Sequence, residues 1–229
     1  MMFPRSIIPN AFTSLNLAFG VLSIIKATEK DYFSAGILIM LAVLADACDG
    51  RAARYFGVSG DFGKELDSLC DVVSFGVSPA ILIYQMYLYS ANTVYLVFVI
   101  IYAVCAALRL ARFNLDAANV QGYFMGLPSP GAACFLASAA IAGLEMPPAC
   151  AAAGLFVSGL LMYSKVRYPD FKGKGNPIKP PVAVLCSLAA GYILYFSPTL
   201  ASIPFIIIFA FLAAGVINFF YIHFTGGYD

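Results

Sequence analysis

Long apolar runs separated by short polar stretches fill most of the chain. Eight of them approach the length that spans a bilayer as a helix, which is about 20 residues. The runs are Ala11–Ala27, Phe33–Tyr55, Glu65–Tyr89, Thr93–Asp116, Gly131–Glu145, Pro148–Ser164, Pro181–Ser197 and Leu200–His223. The pattern predicts an all-α, polytopic transmembrane bundle of about eight helices that forms a single integral membrane domain over residues 1–229.

The composition agrees with this fold class. Of the 229 residues, 62% are hydrophobic and 11% are charged, and the mean hydropathy is +0.87. A soluble domain with so few polar residues could not cover its surface, so the composition excludes that class. No nucleic-acid partner is expected.

The basic residues predict the orientation of the bundle. If the predicted spans alternate in direction, Lys26 and Lys30 fall on one side of the membrane. The other eleven fall on the side of the N-terminus: Arg5, Arg51, Arg54, Lys64, Arg109, Arg112, Lys165, Arg167, Lys172, Lys174 and Lys179. Because basic residues concentrate on the cytoplasmic side, both termini are expected there, in the plasma membrane of a prokaryote.

Four aspartates interrupt the second and third apolar runs, in the stretch "LADACDGRAARYFGVSGDFGKELDSLCD" (44–71). Asp46 and Asp49 are three residues apart and Asp67 and Asp71 are four apart, so each pair shares a helix face. Asp46 lies nine residues before Tyr55, roughly 14 Å into its helix. A glycine-rich turn between the helices should bring the two pairs face to face.

Carboxylates in such a place indicate a bound cation. Four of them would repel one another in a medium of low dielectric constant unless they were protonated or neutralised. Oxygen ligands select hard cations such as Mg²⁺, Mn²⁺ or Ca²⁺, and the single histidine, His223, argues against zinc. Four negative charges balance two divalent ions, an arrangement that suits phosphoryl transfer. An ion-transport pathway is the alternative from another functional class.

Small and basic residues beside the aspartates favour a phosphate-bearing ligand. Gly50 and Gly63 would let such a ligand approach the backbone closely. Arg54 lies one helical turn after Gly50, where its guanidinium can reach a phosphate. A transport pathway gives no reason for this spacing.

The full pattern resembles the signature of the CDP-alcohol phosphotransferase family: Asp46-x2-Asp49-Gly50-x2-Ala53-Arg54-x8-Gly63-x3-Asp67-x3-Asp71. The resemblance implies a catalytic core of six helices, about residues 1–165, with two additional helices at about 180–223. It implies an enzyme in which an alcohol displaces CMP from a CDP-linked lipid. The four aspartates would hold two divalent cations, Mg²⁺ or Mn²⁺, Asp71 would also serve as general base, and Gly50, Arg54 and Gly63 would line the CDP site. A homodimer is expected on the same ground.

The N-terminal stretch "IPNAFTSLNL" (8–17) also resembles a signature of the family. The resemblance assigns Asn10, Thr13 and Asn16 to the CDP-lipid site. Thr13 as a helix cap and Asn16 as a hydrogen-bonding residue between helices are the alternatives.

Three further stretches concern the acceptor alcohol: "ALRLARFN" (107–114), "GLPSPGAA" (126–133) and "YSKVRYPDFKGK" (163–174). Together they resemble the membrane-embedded phosphatidylserine synthase branch of the family, which implies L-serine as acceptor and phosphatidylserine as product. Glycerol 3-phosphate or inositol phosphate is the alternative acceptor, and the headgroup motifs are compatible with acyl or ether tails. The candidates for binding serine or the lipid phosphate are Arg109, Arg112, Asn114, Ser129 and Arg167. The alternative for the arginines is a role in anchoring the helix end at the membrane surface.

Overall fold

A computed structural model of the protein describes residues 7–58, 60–116, 123–169 and 202–225. In these residues the chain forms seven helices and two short strands. The helices are α1 (Ile7–Thr28), α2 (Tyr32–Phe56), α3 (Asp61–Leu88), α4 (Leu96–Asp116), α5 (Ser129–Ile141), α6 (Pro148–Tyr163) and α7 (Ser202–Thr225). The strands are β1 (Tyr123–Met125) and β2 (Arg167–Pro169).

The predicted fold class is confirmed, and the protein is an integral membrane protein. Four helices, α1 to α4, are long and apolar enough to cross a bilayer, and α5, α6 and residues Phe205–Tyr221 of α7 are shorter apolar helices. The predicted run Pro181–Ser197 lies outside the described residues. The division into a core of six helices and two more stays a prediction.

Glycines set two of the helix ends. Gly57 adopts a left-handed conformation (φ 63°) and its N–H caps the carbonyls of Ala53 and Arg54, which ends α2 and turns the chain into α3. Gly143 is also left-handed (φ 59°) and lies just beyond the last turn of α5. For this reason α5 ends at Ile141, four residues before the end of the predicted run at Glu145.

The helix α3 is continuous but not uniformly α-helical. Residues Val72–Val77 and Tyr84–Leu88 are π-helical, and the first of these segments begins directly after Asp71. Such segments widen the helix and leave carbonyls for other donors. The buried hydroxyl of Tyr102 on α4 donates to the carbonyl of Phe75 at 3.0 Å, which fastens α4 to the widened turn.

The helices pack in two connected groups. The first contains α1, α2 and α3, with α5 against them, around Ile39, Phe75 and Ala137. In the second group, α4 lies along α6 around Tyr102 and Leu155. The helices α1 and α3 approach each other closely at Gly20, where a Cβ would collide with Ser74, so this position constrains how the two helices align.

A small antiparallel ladder was not predicted from the sequence. The strands β1 and β2 pair so that Met125 lies opposite Arg167 and Phe124 opposite Tyr168. Tyr168 is fully buried, and its hydroxyl donates to the carbonyl of Leu212 on α7 at 3.4 Å. The ladder therefore links the segments before α5 and after α6 and packs them against α7.

Candidate active site

The two aspartate pairs face each other across α2 and α3, as their spacing predicts. Carboxylate oxygens of Asp46, Asp49 and Asp67 all lie within 4.8 Å of one another. Asp71 lies next to them, buried, and interacts electrostatically with the other three. The four carboxylates therefore form one cluster on the inner sides of the two helices.

The first helix supplies two hydrogen bonds to this cluster. The Thr13 hydroxyl donates to Oδ2 of Asp49 at 2.9 Å, and the Asn16 amide donates to Oδ1 of Asp71 at 2.9 Å. Both donors are buried. Each bond has an acidic group as acceptor, which makes it stronger than a bond between neutral groups when the carboxyl is ionised.

The donor set fits a hard divalent cation. All its atoms are oxygens, and the three clustered carboxylates can reach one ion together. Among the described residues three buried side-chain atoms have no hydrogen-bond partner: Oδ1 of Asn16, Oδ1 of Asp67 and Nε of Arg109. All three belong to this cluster or to side chains that interact with it. A buried polar atom without a partner is costly, and an incoming ligand can supply the missing partner.

A cleft of about 390 Å³ adjoins the aspartates at the end of the bundle where α1 and α3 begin and α2 ends. The predicted CDP-lipid residues Asn10, Thr13, Gly50, Arg54 and Gly63 all line it. Asp49 and Asp67 line it too, so the cleft opens directly onto the carboxylates. The remaining predicted residue, Asn16, is fully buried and does not line the cleft.

Two of the residues that line the cleft are cations that form no ion pair within the described residues. Within the described residues the only ion pair closer than 4.0 Å joins Lys26 and Glu29, at the opposite end of the bundle. Arg54 and Lys64 thus line the cleft without a carboxylate partner at that distance. Two unpaired cations beside a carboxylate cluster suit a ligand that carries several phosphate oxygens.

The predicted acceptor residues fall into different surroundings. Arg109 is 7% exposed, donates from Nη1 to the Ser129 hydroxyl at 2.9 Å and interacts electrostatically with Asp71 and Asp46. It therefore faces the carboxylate cluster from α4, and Ser129 at the start of α5 orients it.

The other candidates lie farther out. Arg112 donates to the carbonyl of Tyr163 at 2.9 Å, and its guanidinium lies 3.9 Å from the centre of the Tyr163 ring, so its contacts are those of a helix anchor. The Asn114 amide donates to the Ser68 hydroxyl at 2.9 Å. Arg167 is exposed on β2. The structure therefore brings Arg109 and Ser129 to the cluster, whereas Arg112 and Asn114 make contacts between helices.

The family profile of the CDP-alcohol phosphatidyltransferases matches residues 6–217, nearly the whole chain. The protein belongs to this family. The resemblance inferred from the aspartate spacing is thereby confirmed. Members of the family generally use divalent metals, and the clustered carboxylates provide a group that can hold one.

Several relatives in the family carry related names. A "CDP-diacylglycerol--serine O-phosphatidyltransferase" of Helicobacter pylori is 33% identical over 197 residues, covering 83% of each chain. A protein of the same name from Methanocaldococcus jannaschii is 40% identical over 162 residues, covering 71% of this chain and 73% of its own. An "Archaetidylserine synthase" of Methanothermobacter thermautotrophicus is 40% identical over 171 residues, covering 73% and 72%.

In this phosphatidyltransferase, the sequence analysis does not identify one charged residue of the cleft. Lys64 is predicted only as a basic residue on the side of the N-terminus, yet it lines the cleft beside Gly63. Its position one residue after a family glycine, in the first turn of α3, is the signal that could have identified it. The roles assigned to the individual site residues stay predictions.

Proposed function

We propose that this phosphatidyltransferase transfers the phosphatidyl group of a CDP-linked lipid to L-serine and releases CMP. Both names carried by the compared relatives refer to serine. The observation that carries the proposal is the carboxylate cluster next to a cleft with two unpaired cations. That arrangement favours a substrate with a pyrophosphate over a transported ion.

In the proposed reaction the serine hydroxyl oxygen attacks the phosphorus atom that carries the lipid. The new phosphorus–oxygen bond forms as the bond between this phosphorus and the CMP oxygen breaks. CMP leaves with the electron pair of the broken bond, and the serine hydroxyl loses its proton. The products are a phosphatidylserine-type lipid and CMP.

The residues for this step lie on α2 and α3. We assign Asp46, Asp49, Asp67 and Asp71 as the ligands of two bound divalent cations, Mg²⁺ or Mn²⁺. When bound, such ions neutralise the pyrophosphate and the charge that develops on the departing CMP. The Asn16 amide donates a hydrogen bond to one carboxylate oxygen of Asp71. The other carboxylate oxygen of Asp71 is left to take up the serine proton, so we assign Asp71 as the general base.

The cleft is the proposed site of the CDP headgroup. Arg54 and Lys64 would bind its phosphate oxygens, and Asn10 and Thr13 line the same wall from α1. Gly50 and Gly63 leave open space there. A Cβ at Gly50 would meet only the Arg54 guanidinium, at 3.6 Å, and a Cβ at Gly63 only Oδ1 of Asn10, at 3.8 Å. The ligand can therefore approach the backbone at both glycines.

Arg109 is the proposed partner of the serine carboxylate. Its guanidinium is nearly buried, its Nε has no partner within the described residues, and it faces the aspartates where the serine hydroxyl must react. A planar guanidinium can bind a carboxylate with two hydrogen bonds, which fixes the orientation of the amino acid. Ser129 holds the other side of the same group.

The surroundings of the cleft support a cytoplasmic active site. Arg51, Arg54, Lys64 and Arg112 lie at the end of the bundle where the cleft opens, and Lys26 and Lys30 lie at the other end. By the positive-inside rule we place the cleft and the termini on the cytoplasmic side of a prokaryotic plasma membrane. We expect a homodimer from the family resemblance.

The proposal is tested by measuring CMP release from CDP-diacylglycerol by the purified protein with Mn²⁺ or Mg²⁺. Parallel reactions contain serine, glycerol 3-phosphate, inositol phosphate or no alcohol, and Asp67→Asn serves as the inactive control. Release that requires both metal and serine is the expected result. Release with another alcohol alone would overturn serine as the acceptor, and no release with CDP-lipids of either tail type would overturn the proposed transfer.

A further inference from the structure

The helix α1 carries no carboxylate of the site, yet it holds one member of each aspartate pair. Thr13 and Asn16 lie three residues apart on one face of α1. Thr13 donates to Asp49 of the α2 pair and Asn16 donates to Asp71 of the α3 pair, both at 2.9 Å. We propose that Thr13 and Asn16 are positioning residues that set the geometry of the metal site.

The two held aspartates differ from their neighbours. Within the described residues, no hydroxyl, amide or basic side chain donates a hydrogen bond to Asp46 or Asp67, and Oδ1 of Asp67 has no partner. Each pair thus contains one carboxylate that accepts a hydrogen bond from α1 and one that accepts none from it. The bonds from α1 would hold oxygens of Asp49 and Asp71 in the positions where the cations bind.

The Asn16 side chain contacts Asp71 and does not line the cleft proposed for the nucleotide. Its side chain is fully buried and does not line the cleft, whereas its amide points at the carboxylate. The Ser74 hydroxyl of α3 donates to the backbone carbonyl of Asn16 at 2.9 Å. One turn farther along α1, the close approach at Gly20 fixes the alignment of the same two helices. The amide therefore has a set position relative to Asp71.

Stability alone does not explain the asparagine. Its Oδ1 is buried without a partner among the described residues, and an unsatisfied buried acceptor destabilises a fold. A donor is needed here if Asp71 must keep one orientation, which is the role of groups that hydrogen-bond to metal ligands in other proteins.

The inference rests on the proposed metal site, and its test therefore measures metal binding without turnover. Mn²⁺ binding to the purified protein, without lipid or serine, is followed by electron paramagnetic resonance of the free ion. Thr13→Val and Asn16→Leu are expected to bind Mn²⁺ about tenfold to a hundredfold more weakly than the wild type, the usual effect of removing such a hydrogen bond. Thr13→Ser keeps the hydroxyl and should bind within about threefold of the wild type.

Ser23→Ala is the control for loss of packing between helices. Ser23 is also fully buried on α1, donates to the carbonyl of Ala35 at 2.9 Å and accepts from Ser78, but touches no aspartate. Its substitution should leave the Mn²⁺ affinity within about threefold of the wild type.

Three results would overturn the assignment. Unchanged Mn²⁺ affinity in Thr13→Val and Asn16→Leu, with a raised KM for CDP-diacylglycerol, would make both residues nucleotide contacts. Equal loss of Mn²⁺ affinity in Ser23→Ala would reduce their role to general packing. A wild-type protein that binds no Mn²⁺ would refute the proposed metal site itself, whereas transfer to a different alcohol would change the proposed function and leave this inference standing.

Discussion

Replacing Gly50 by alanine should raise the stability of the protein and lower its activity. Gly50 lies inside α2, and the new Cβ would meet only the flexible end of Arg54, 3.6 Å from Nη1 and 4.0 Å from Nη2. These are ordinary van der Waals distances. Alanine in place of glycine within a helix stabilises it by about 0.5–1 kcal/mol, so the melting temperature in detergent should rise by about 1–4 °C.

The effect on catalysis has the opposite sign because the new methyl group points into the cleft. The methyl would hold the CDP headgroup away from the backbone of α2, beside the aspartates. A misplacement of about 1 Å at a reacting group can reduce the rate by about a hundredfold. We therefore expect kcat/KM for CDP-diacylglycerol to fall by about tenfold to a hundredfold.

The assay combines CMP release with thermal unfolding of the same preparations. Gly154→Ala is the matched control, because Gly154 lies within α6, outside the cleft, and its Cβ would lie 4.0 Å from the nearest atom, on Phe135. It should gain similar stability and keep the activity of the wild type. If Gly50→Ala kept its kcat/KM while its melting temperature rose, the headgroup would not approach the backbone there. A fall in melting temperature would contradict the open space at Gly50.

Three further predictions concern the cluster and the end of α4. Asp67→Asn should lower CMP release at least about a hundredfold. The substitution should not lower the melting temperature of the metal-free protein, because it relieves repulsion among carboxylates within 4.8 Å of one another. If the variant remained active, Asp67 would not be part of the active site. Arg112→Ala should lower the free energy of unfolding by about 1–2 kcal/mol, through its lost bond and stacking with Tyr163, at an unchanged KM for serine. A raised KM for serine with an unchanged free energy of unfolding would instead indicate that Arg112 binds the acceptor. Chelation with EDTA should stop CMP release, and Mn²⁺ added at about 100 times its Kd should stabilise the protein by about 2.7 kcal/mol; a melting temperature insensitive to Mn²⁺ would refute a structural contribution of the metal.

Much of the fold follows from local sequence. A segment that crosses a membrane must satisfy its backbone hydrogen bonds internally, as a helix does. Each long apolar run therefore predicts one helix regardless of its neighbours. For this reason α2, at Tyr32–Phe56, lies within one residue of the predicted Phe33–Tyr55 at each end. The aspartate pairs were predictable for a similar reason, because residues three or four apart on a helix share a face.

The features that the sequence does not predict depend on contacts between helices. The π-helical turn after Asp71 has no local signal, and the hydroxyl of Tyr102 that satisfies it comes from another helix. The direction of the Asn16 side chain depends on how α1 aligns with α3, which is set at Gly20 and Ser74. A one-dimensional pattern locates such residues on their helices but does not identify their partners.

The buried polar atoms without hydrogen-bond partners lower the stability of the protein without its ligands. A purely structural polar residue in a bundle would be expected to have all its hydrogen bonds satisfied, because each unsatisfied buried atom costs about 1–3 kcal/mol. The atoms of Asn16, Asp67 and Arg109 that lack partners within the described residues instead all belong to the carboxylate cluster or to side chains that interact with it. Metal and substrate can supply the missing partners there, so the same arrangement that weakens the empty bundle strengthens binding. Such a distribution is expected of a site shaped for its ligands and not for the stability of the empty fold.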